Sequence, residues 1–203
     1  MGGEGDLAGF ALASLLSELV PGPNMGYLAL VAAAEGRRAG LAAVGGVALG
    51  LAGLGLAAAF GIAALVAASP AAYGLLRWGG VAWLCWLAFA AWRGEETAEG
   101  AEAAGAPMWR HFRRGLVTNL LNPKAAVFFI AVQPAFLPPA PEIDRVLVFS
   151  AVFVAVATLV HAGIVALAGG VHAVVASPGR AKAMRRVMAV GLLAVAAWVV
   201  ATT

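Results

Sequence analysis

The stretch LVPGPNMGYL, residues 19–28, interrupts a run of apolar residues with two prolines that flank a glycine. Pro21 and Pro23 each lack a backbone N–H and clash with the preceding turn, so they cannot both lie in an unbroken helix. Gly22 is free to adopt the extended geometry that a following proline imposes. The sequence therefore predicts a break with freed carbonyls on one side and a new helix N-terminus on the other. Such an N-terminus suits a carboxylate, whereas freed carbonyls suit an ammonium group.

The composition of the chain indicates that lipid is its solvent. Hydrophobic residues make up 63% of the 203 residues, charged residues make up 11%, and the mean hydropathy is +0.92. A soluble domain of this size carries about 25% charged residues. The single cysteine, Cys85, excludes an intrachain disulfide and a cysteine-rich metal site.

Six apolar runs reach or approach the length of about 20 helical residues that a bilayer core requires. Backbone groups in lipid are satisfied only by helices or closed barrels, and the runs lack the alternating pattern of barrel strands. We therefore predict an all-α polytopic membrane protein, with a shallow sixth helix as the alternative for the short last run. The predicted spans are residues 7–34, 40–68, 70–92, 115–137, 146–175 and 187–203.

The spans divide into two halves within a single transmembrane domain, residues 1–203. An acidic linker without periodicity, residues 94–110, separates a first three-helix half, 1–93, from a second, 111–203. An odd number of spans per half gives the halves opposite orientations, which is the arithmetic of an inverted repeat. The prediction is a 3+3 inverted repeat.

A second break is predicted at the matching depth of the second half, in TNLLNPKAAVFFI, residues 118–130. When this half is shifted by 100 residues, Pro123 lies over Pro23 and Lys124 lies over Asn24. Paired interruptions at corresponding positions are typical of the binding site of a secondary transporter. A simple proline kink in each helix is the alternative.

Two charged residues, Glu18 and Lys124, lie deepest in the predicted spans. A charge at the bilayer centre costs about 2.5–3.5 kcal/mol, so each should face the protein interior and have a partner. One alternative is a structural ion pair between the two. In the other, Lys124 meets a substrate carboxylate while Glu18 binds the amine or carries a proton.

Short amides and one histidine accompany the breaks. Asn24, Asn119 and Asn122 either cap the broken helix ends or bind a ligand. His161, in the middle of the fifth span, is either a candidate proton carrier or a structural histidine. The candidate substrate-binding residues are Glu18, Pro21, Gly22, Pro23, Asn24, Asn119, Asn122, Pro123 and Lys124, and the candidate proton carriers are Glu18 and His161.

The glycines of the second span include the pair Gly46 and Gly50, four residues apart. Small residues at this spacing let two membrane helices approach closely. We predict that this pair serves packing rather than chemistry.

Basic residues are concentrated in the connections after the first, third and fifth spans, which predicts that those connections lie inside and both termini outside. This distribution leaves no basic patch for nucleic acid. A phosphate-binding loop, a zinc-protease motif and a serine nucleophile motif are all absent, so neither an ATP-driven motor nor an enzyme is predicted, and no cofactor or metal. The basic residues in these connections are Arg37, Arg38, Arg93, Arg110, Arg113, Arg114, Arg180, Lys182, Arg185 and Arg186.

Four segments together resemble the LysE/RhtB family of bacterial amino-acid exporters. They are PGPNM, EGRRAGLAAVGGVALG, WGGVAWLCWLAFAAWR and GLVTNLLNPKAAVFF, which occur in the family's order and spacing within the first 137 residues. The resemblance implies a six-span protein of the bacterial inner membrane that exports amino acids or close derivatives by proton-coupled exchange, often as a homodimer. Carried over by position, the relevant elements are Pro21, Gly22, Pro23 and Asn24, then Asn122, Pro123 and Lys124.

The sequence departs from the family's pattern at two places. Trp83 stands where the family usually has tyrosine, and residues 133–136 read QPAF in place of LPQF. Both departures affect the expected pocket lining and therefore the identity of the substrate. The alternative function, a divalent-cation exporter, would need several acidic or histidine ligands within the membrane, and only Glu18 and His161 are candidates.

Overall fold

The computed structural model describes residues 6–20, 22–61, 69–93, 108–138, 140–175 and 181–202. The regular structure within these ranges is helical, which confirms the predicted all-α class. A π-helical segment, Phe128–Val132, and a 3₁₀ segment, Gln133–Phe136, continue the short helix that begins at Pro123. The helices are α1 (Leu7–Leu19), α2 (Pro23–Glu35), α3 (Arg37–Ala59), α4 (Pro70–Arg93), α5 (Met108–Leu120), α6 (Pro123–Val127), α7 (Ile143–Val175) and α8 (Ala181–Thr202).

Several of these helices have the length and apolar composition of membrane spans. Within the described residues, α3, α4 and residues 143–170 of α7 are each long enough to cross a bilayer. Helix α5 and the segment Pro123–Phe136 reach that length together, across a bend of 53°. Helix α1 and residues 186–201 of α8 are apolar but shorter. The six-span count and the inverted repeat stay predictions.

Both predicted breaks are observed. Helix α1 ends at Leu19, Val20 and Gly22 are extended, and α2 begins directly at Pro23. In the second half α5 ends at Leu120, Asn122 is extended, and α6 begins at Pro123. Proline suits the first position of a helix because the N–H that it lacks would have no partner there. Pro21 lies outside the described residues.

Four helices begin earlier than the predicted spans. Helix α3 starts at Arg37 rather than residue 40, and α5 starts at Met108 rather than 115. Helix α7 starts at Ile143 rather than 146, and α8 starts at Ala181 rather than 187. A hydropathy criterion stops at charged residues, but those residues form the first turns of the same helices. The last three residues of the predicted linker, 108–110, therefore belong to α5.

Glycines bring α3 and α5 into close contact. A Cβ at Gly46 would collide with the carbonyl of Phe112, and a Cβ at Gly115 would collide with the carbonyl of Ala43. Small residues therefore let the two backbones touch, as membrane helices often do. The predicted packing role of Gly46 is confirmed.

A cluster of phenylalanines fills the end of the molecule where α1 and α7 begin. The ring of Phe10 is 5.7 Å from that of Phe128, 5.4 Å from that of Phe136 and 4.9 Å from that of Phe149. Phe128 also stacks on Phe153 at 3.6 Å. Phe10, Phe128, Phe149 and Phe153 are buried, so this end of the core is closed by aromatic packing.

The contact between α3 and α5 predicts the effect of adding one methyl group. Gly46→Ala should lower the stability of the protein by about 1–3 kcal/mol, because the new Cβ meets backbone that cannot turn aside. Gly53→Ala on the same helix is the matched control, since nothing lies within 4 Å of its Cβ position. Thermal unfolding in detergent would measure both. An unfolding temperature of Gly46→Ala at or above that of Gly53→Ala would contradict the prediction.

Candidate functional site

The two breaks meet through Lys124. Its ammonium Nζ donates a hydrogen bond of 2.7 Å to the carbonyl of Val20, one of the carbonyls freed where α1 ends. Gly22 makes room for this side chain, because a Cβ there would lie 2.9 Å from the Cδ of Lys124. The second break thus supplies the donor that the first break lacks.

A pocket, here called the polar pocket, lies between the breaks and α7. Three apolar residues, Met25, Leu51 and Ala125, contribute to its wall. Its free space fits about one water molecule, so the observed conformation is too closed for an amino acid. The predicted site residues that line it are Glu18, Gly22, Asn24, Asn122, Lys124 and His161.

Glu18 and His161 face each other in the polar pocket. The Nε2 atom of His161 is 3.1 Å from Oε2 of Glu18, and both side chains are buried. The contact is not aligned as a full hydrogen bond, and Nδ1 of His161 has no hydrogen-bond partner among the described residues. Glu18 and Lys124 make no direct ion pair in this conformation, since Glu18 contacts His161 and Lys124 donates to Val20. The choice between a structural ion pair and substrate binding stays a prediction, because the Glu18 carboxylate still acts on the Lys124 charge.

Two of the three asparagines bind each other. The amide nitrogen of Asn24 donates to the amide oxygen of Asn119 over 2.7 Å, which joins α2 to α5. The amide oxygen of Asn24 and the amide nitrogen of Asn119 have no partner within the described part of the chain. A buried polar atom left unpaired costs about 1–3 kcal/mol. Of the two residues, Asn24 lines the polar pocket, so a polar ligand there could pair its free oxygen.

The two helix N-termini at the breaks differ. Asn122 caps α6, since its side-chain oxygen accepts a hydrogen bond of 3.1 Å from the backbone N–H of Lys124. No side chain caps α2. Its first N–H groups belong to Asn24 and Met25, which line the polar pocket. The uncapped N-terminus of α2 is therefore the end that faces the pocket with partial positive charge.

The prolines that start α2 and α6 line a second pocket. Pro23 and Pro123 lie on a neighbouring pocket, here called the apolar pocket, whose other walls come from α4, α5 and α8. Asn119 does not line the polar pocket, but it is connected to the pocket through its hydrogen bond to Asn24. The structure thus gathers the described candidate residues around the two breaks, with Pro21 outside the described residues.

Sequence reasoning missed a polar cluster at the start of α5. His111 is 2% exposed, and its Nε2 lies 3.4 Å from Oε2 of Glu35, the last residue of α2. The Nη2 atom of Arg110 lies 3.8 Å from the same oxygen. The signal was present, because the buried residues of α5 recur at helical spacing although most are polar. They are His111, Arg114, Gly115, Thr118 and Asn119.

The described residues contain no group of three or more His, Cys, Asp and Glu side chains placed to hold a metal ion. The polar pocket contributes two such side chains, Glu18 and His161, and they contact each other.

A helical membrane protein whose two broken helices meet at a buried polar pocket has the construction of a membrane transporter. Residues 15–203 match the family described as LysE type translocator. The chain belongs to this family and is a transport protein of the membrane, not an enzyme.

Named relatives are similar to the chain over different lengths. A homoserine/homoserine lactone efflux protein of Salmonella typhimurium is 30% identical over 193 residues, which cover 87% of each protein. A leucine efflux protein of an Enterobacter species is 34% identical over 121 residues, 59% of this chain and 57% of the relative. The uncharacterized membrane protein YahN of Escherichia coli is 39% identical over 118 residues, and this match spans 52% of the relative's length. No solved structure matches the chain.

The bond between Asn24 and Asn119 predicts a measurable coupling. In a double-mutant cycle of Asn24→Ala and Asn119→Ala, we expect a coupling free energy of about 0.6 kcal/mol, typical of hydrogen bonds between membrane helices. Unfolding by denaturing detergent would measure it. A cycle of Asn24→Ala with Thr158→Ala is the control, since the Thr158 hydroxyl bonds within its own helix. Equal coupling in both cycles would contradict the predicted contact.

Proposed function

We propose that the protein exports an amino acid or a close derivative through the polar pocket. The observation that carries this proposal is the placement of opposite charges around one pocket. Glu18 lies beside the end of α1, and Lys124 reaches across from the second break. A zwitterionic substrate carries a carboxylate and an ammonium on one carbon atom and complements such a pair.

The substrate carboxylate is assigned to the N-terminus of α2 and to Lys124. This N-terminus has no side-chain cap, and Lys124 already reaches its N-cap residue, Gly22. When a carboxylate binds, the ammonium of Lys124 exchanges the neutral carbonyl of Val20 for an anion, and charge-assisted hydrogen bonds are the stronger ones. The substrate therefore replaces the bond that joins the two breaks.

The substrate ammonium is assigned to Glu18 and to the freed carbonyl of Val20. The carbonyl becomes available when Lys124 turns to the carboxylate, and it lies at the C-terminal end of α1, where the helix dipole favours a cation. The spare oxygen of Asn24 supplies a further acceptor. The pocket must widen for this binding, because the observed space fits about one water molecule.

The substrates after which the relatives are named support the same class of substrate. Homoserine, its lactone and leucine all carry an α-amino group and a carboxyl or ester carbonyl, and they differ in the side chain. A site that binds the shared groups through Glu18, Lys124 and the α2 N-terminus fits such a range.

We also propose that Glu18 and His161 couple export to protons. The two side chains are in contact at 3.1 Å and share the pocket with the substrate. A histidine changes charge near neutral pH, and a carboxylate that holds either a proton or an ammonium makes proton uptake and substrate binding compete. Competition of this kind is what exchange requires.

The proposed setting is the bacterial inner membrane, with both termini outside and the basic connections inside. The basic start of α5 then faces the cytoplasm and the phenylalanine cluster faces outward. We also propose a homodimer, because the resemblance to the exporter family implies one.

Three substitutions test the export site. Glu18→Gln, Asn24→Ala and Lys124→Met should each lower uptake of labelled homoserine or leucine into inside-out vesicles. For the two charged residues the loss should be about tenfold or more, because a hydrogen bond to a charged group contributes about 1.5–3 kcal/mol.

Matched controls remove charges of the same sign outside the pocket. Glu142→Gln and Arg113→Met remove exposed charges and should keep uptake near that of the unmodified protein. If all three pocket variants take up substrate as fast as the unmodified protein, the assigned site is refuted.

The role of His161 as proton carrier is tested by measuring uptake driven by a pH gradient separately from substrate counterflow without a gradient. In inside-out vesicles with an acidic interior, His161→Gln should lose the gradient-driven component of uptake, because glutamine cannot carry a proton. Counterflow of substrate at equal pH on both sides should stay within about twofold, since the groups assigned to the carboxylate are intact. The unmodified protein with an ionophore that collapses the gradient is the reference. Gradient-driven uptake that survives in His161→Gln would exclude His161 as the carrier.

A further inference from the structure

The apolar pocket adjoins the same two breaks as the polar pocket. Pro23 and Pro123 form one wall, and Trp83, Leu84 and Val199 are among the residues that form the others. Thr118 of α5 completes it. The pocket therefore joins helices from both halves of the chain.

Each break contributes neighbouring residues to the two pockets. Pro23 lines the apolar pocket, and the next residue, Asn24, lines the polar pocket. Likewise, Pro123 lines the apolar pocket and Lys124 lines the polar pocket. The polar residues at the two breaks that line the polar pocket are thus each adjacent in the chain to a proline that lines the apolar pocket.

The polar atoms of the apolar pocket are occupied by each other. The indole N–H of Trp83 donates to the hydroxyl of Thr118 over 2.9 Å, and that hydroxyl donates to the carbonyl of Arg114 over 2.7 Å. An indole has one donor and a hydroxyl has one, so neither side chain has a hydrogen to offer to a ligand. The pocket presents carbon surface and no charged side chain among its described lining residues.

We propose that the apolar pocket receives the side chain of the transported amino acid, and that the bond between Trp83 and Thr118 makes it selective for aliphatic side chains. This inference rests on the export function proposed above. The free space of the apolar pocket also fits about one water molecule, so this pocket must widen together with the polar pocket. A leucine-like side chain then buries apolar surface there at no cost in hydrogen bonds. A lysine side chain would bury a charge without a partner, and the homoserine hydroxyl would find no donor.

Competition in reconstituted vesicles tests the inference on the unmodified protein. Counterflow of labelled leucine is measured against unlabelled leucine, homoserine and lysine. We expect leucine to compete at a concentration about tenfold or more below that of lysine, with homoserine between them. Lysine or homoserine that competes as well as leucine would overturn the proposed selectivity.

Two variants test the residues themselves. Trp83→Phe removes the donor and frees the Thr118 hydroxyl, whereas Thr118→Val leaves the Trp83 N–H without its acceptor. Each should lower the preference for leucine over homoserine by about tenfold, since an unpaired polar group in the pocket now favours a hydroxyl. Trp86→Phe is the matched control, because Trp86 stacks on Trp83 at 4.8 Å without lining the pocket.

The outcomes separate this inference from the function on which it rests. A preference unchanged within about twofold in both variants would overturn the role of Trp83 and Thr118. Amino-acid counterflow without any side-chain preference overturns the pocket assignment alone and leaves the export function intact. No counterflow of any amino acid by the unmodified, folded protein overturns both. If either variant fails to fold, the competition series on the unmodified protein still decides the selectivity.

Discussion

The hydrogen bond from the Lys124 ammonium to the Val20 carbonyl is the interaction on which the site depends. A helix that is broken inside a bilayer leaves carbonyl groups that lipid cannot satisfy, so the protein must supply a donor. Here the donor comes from the other break, over 2.7 Å, and the cation gains an acceptor at the same time. The two interruptions therefore stabilise each other. A change in the partner of Lys124 necessarily alters both breaks.

Helix packing sets the geometry of that site through α3 and α5. Gly46 and Gly115 allow the two backbones to touch, and Gly50 lies against the side chain of Asn119. Asn119 is thereby held where it meets Asn24 of α2. The small residues of the second span act on the site indirectly, because they fix the depth at which α5 presents its amide. The packing of α3 against α5 thus sets the position of the polar residues at the first break.

The predictable and unpredictable features differ in physical origin. Both breaks were predictable from the sequence, because the steric properties of proline are local, and so was the burial of Glu18, because charge in lipid is costly. The partner of Glu18 was not, since His161 lies on another span and only tertiary packing brings it near. The polar face of α5 was missed because hydropathy averages over a helix and so hides residues such as His111 that face protein instead of lipid.

The two breaks share a construction but differ in chemistry, and one residue accounts for the difference. Asn122 caps α6 and so consumes the N–H of Lys124, whereas the corresponding position before Pro23 is Gly22, which has no side chain to cap α2. A second cap there would block the pocket and displace the Lys124 side chain, which lies against Gly22. The glycine thus keeps one N-terminus open for an anion and leaves a passage for the cation that accompanies it. Of two similar breaks, the first is fitted to accept a ligand and the second to supply the charge that holds it.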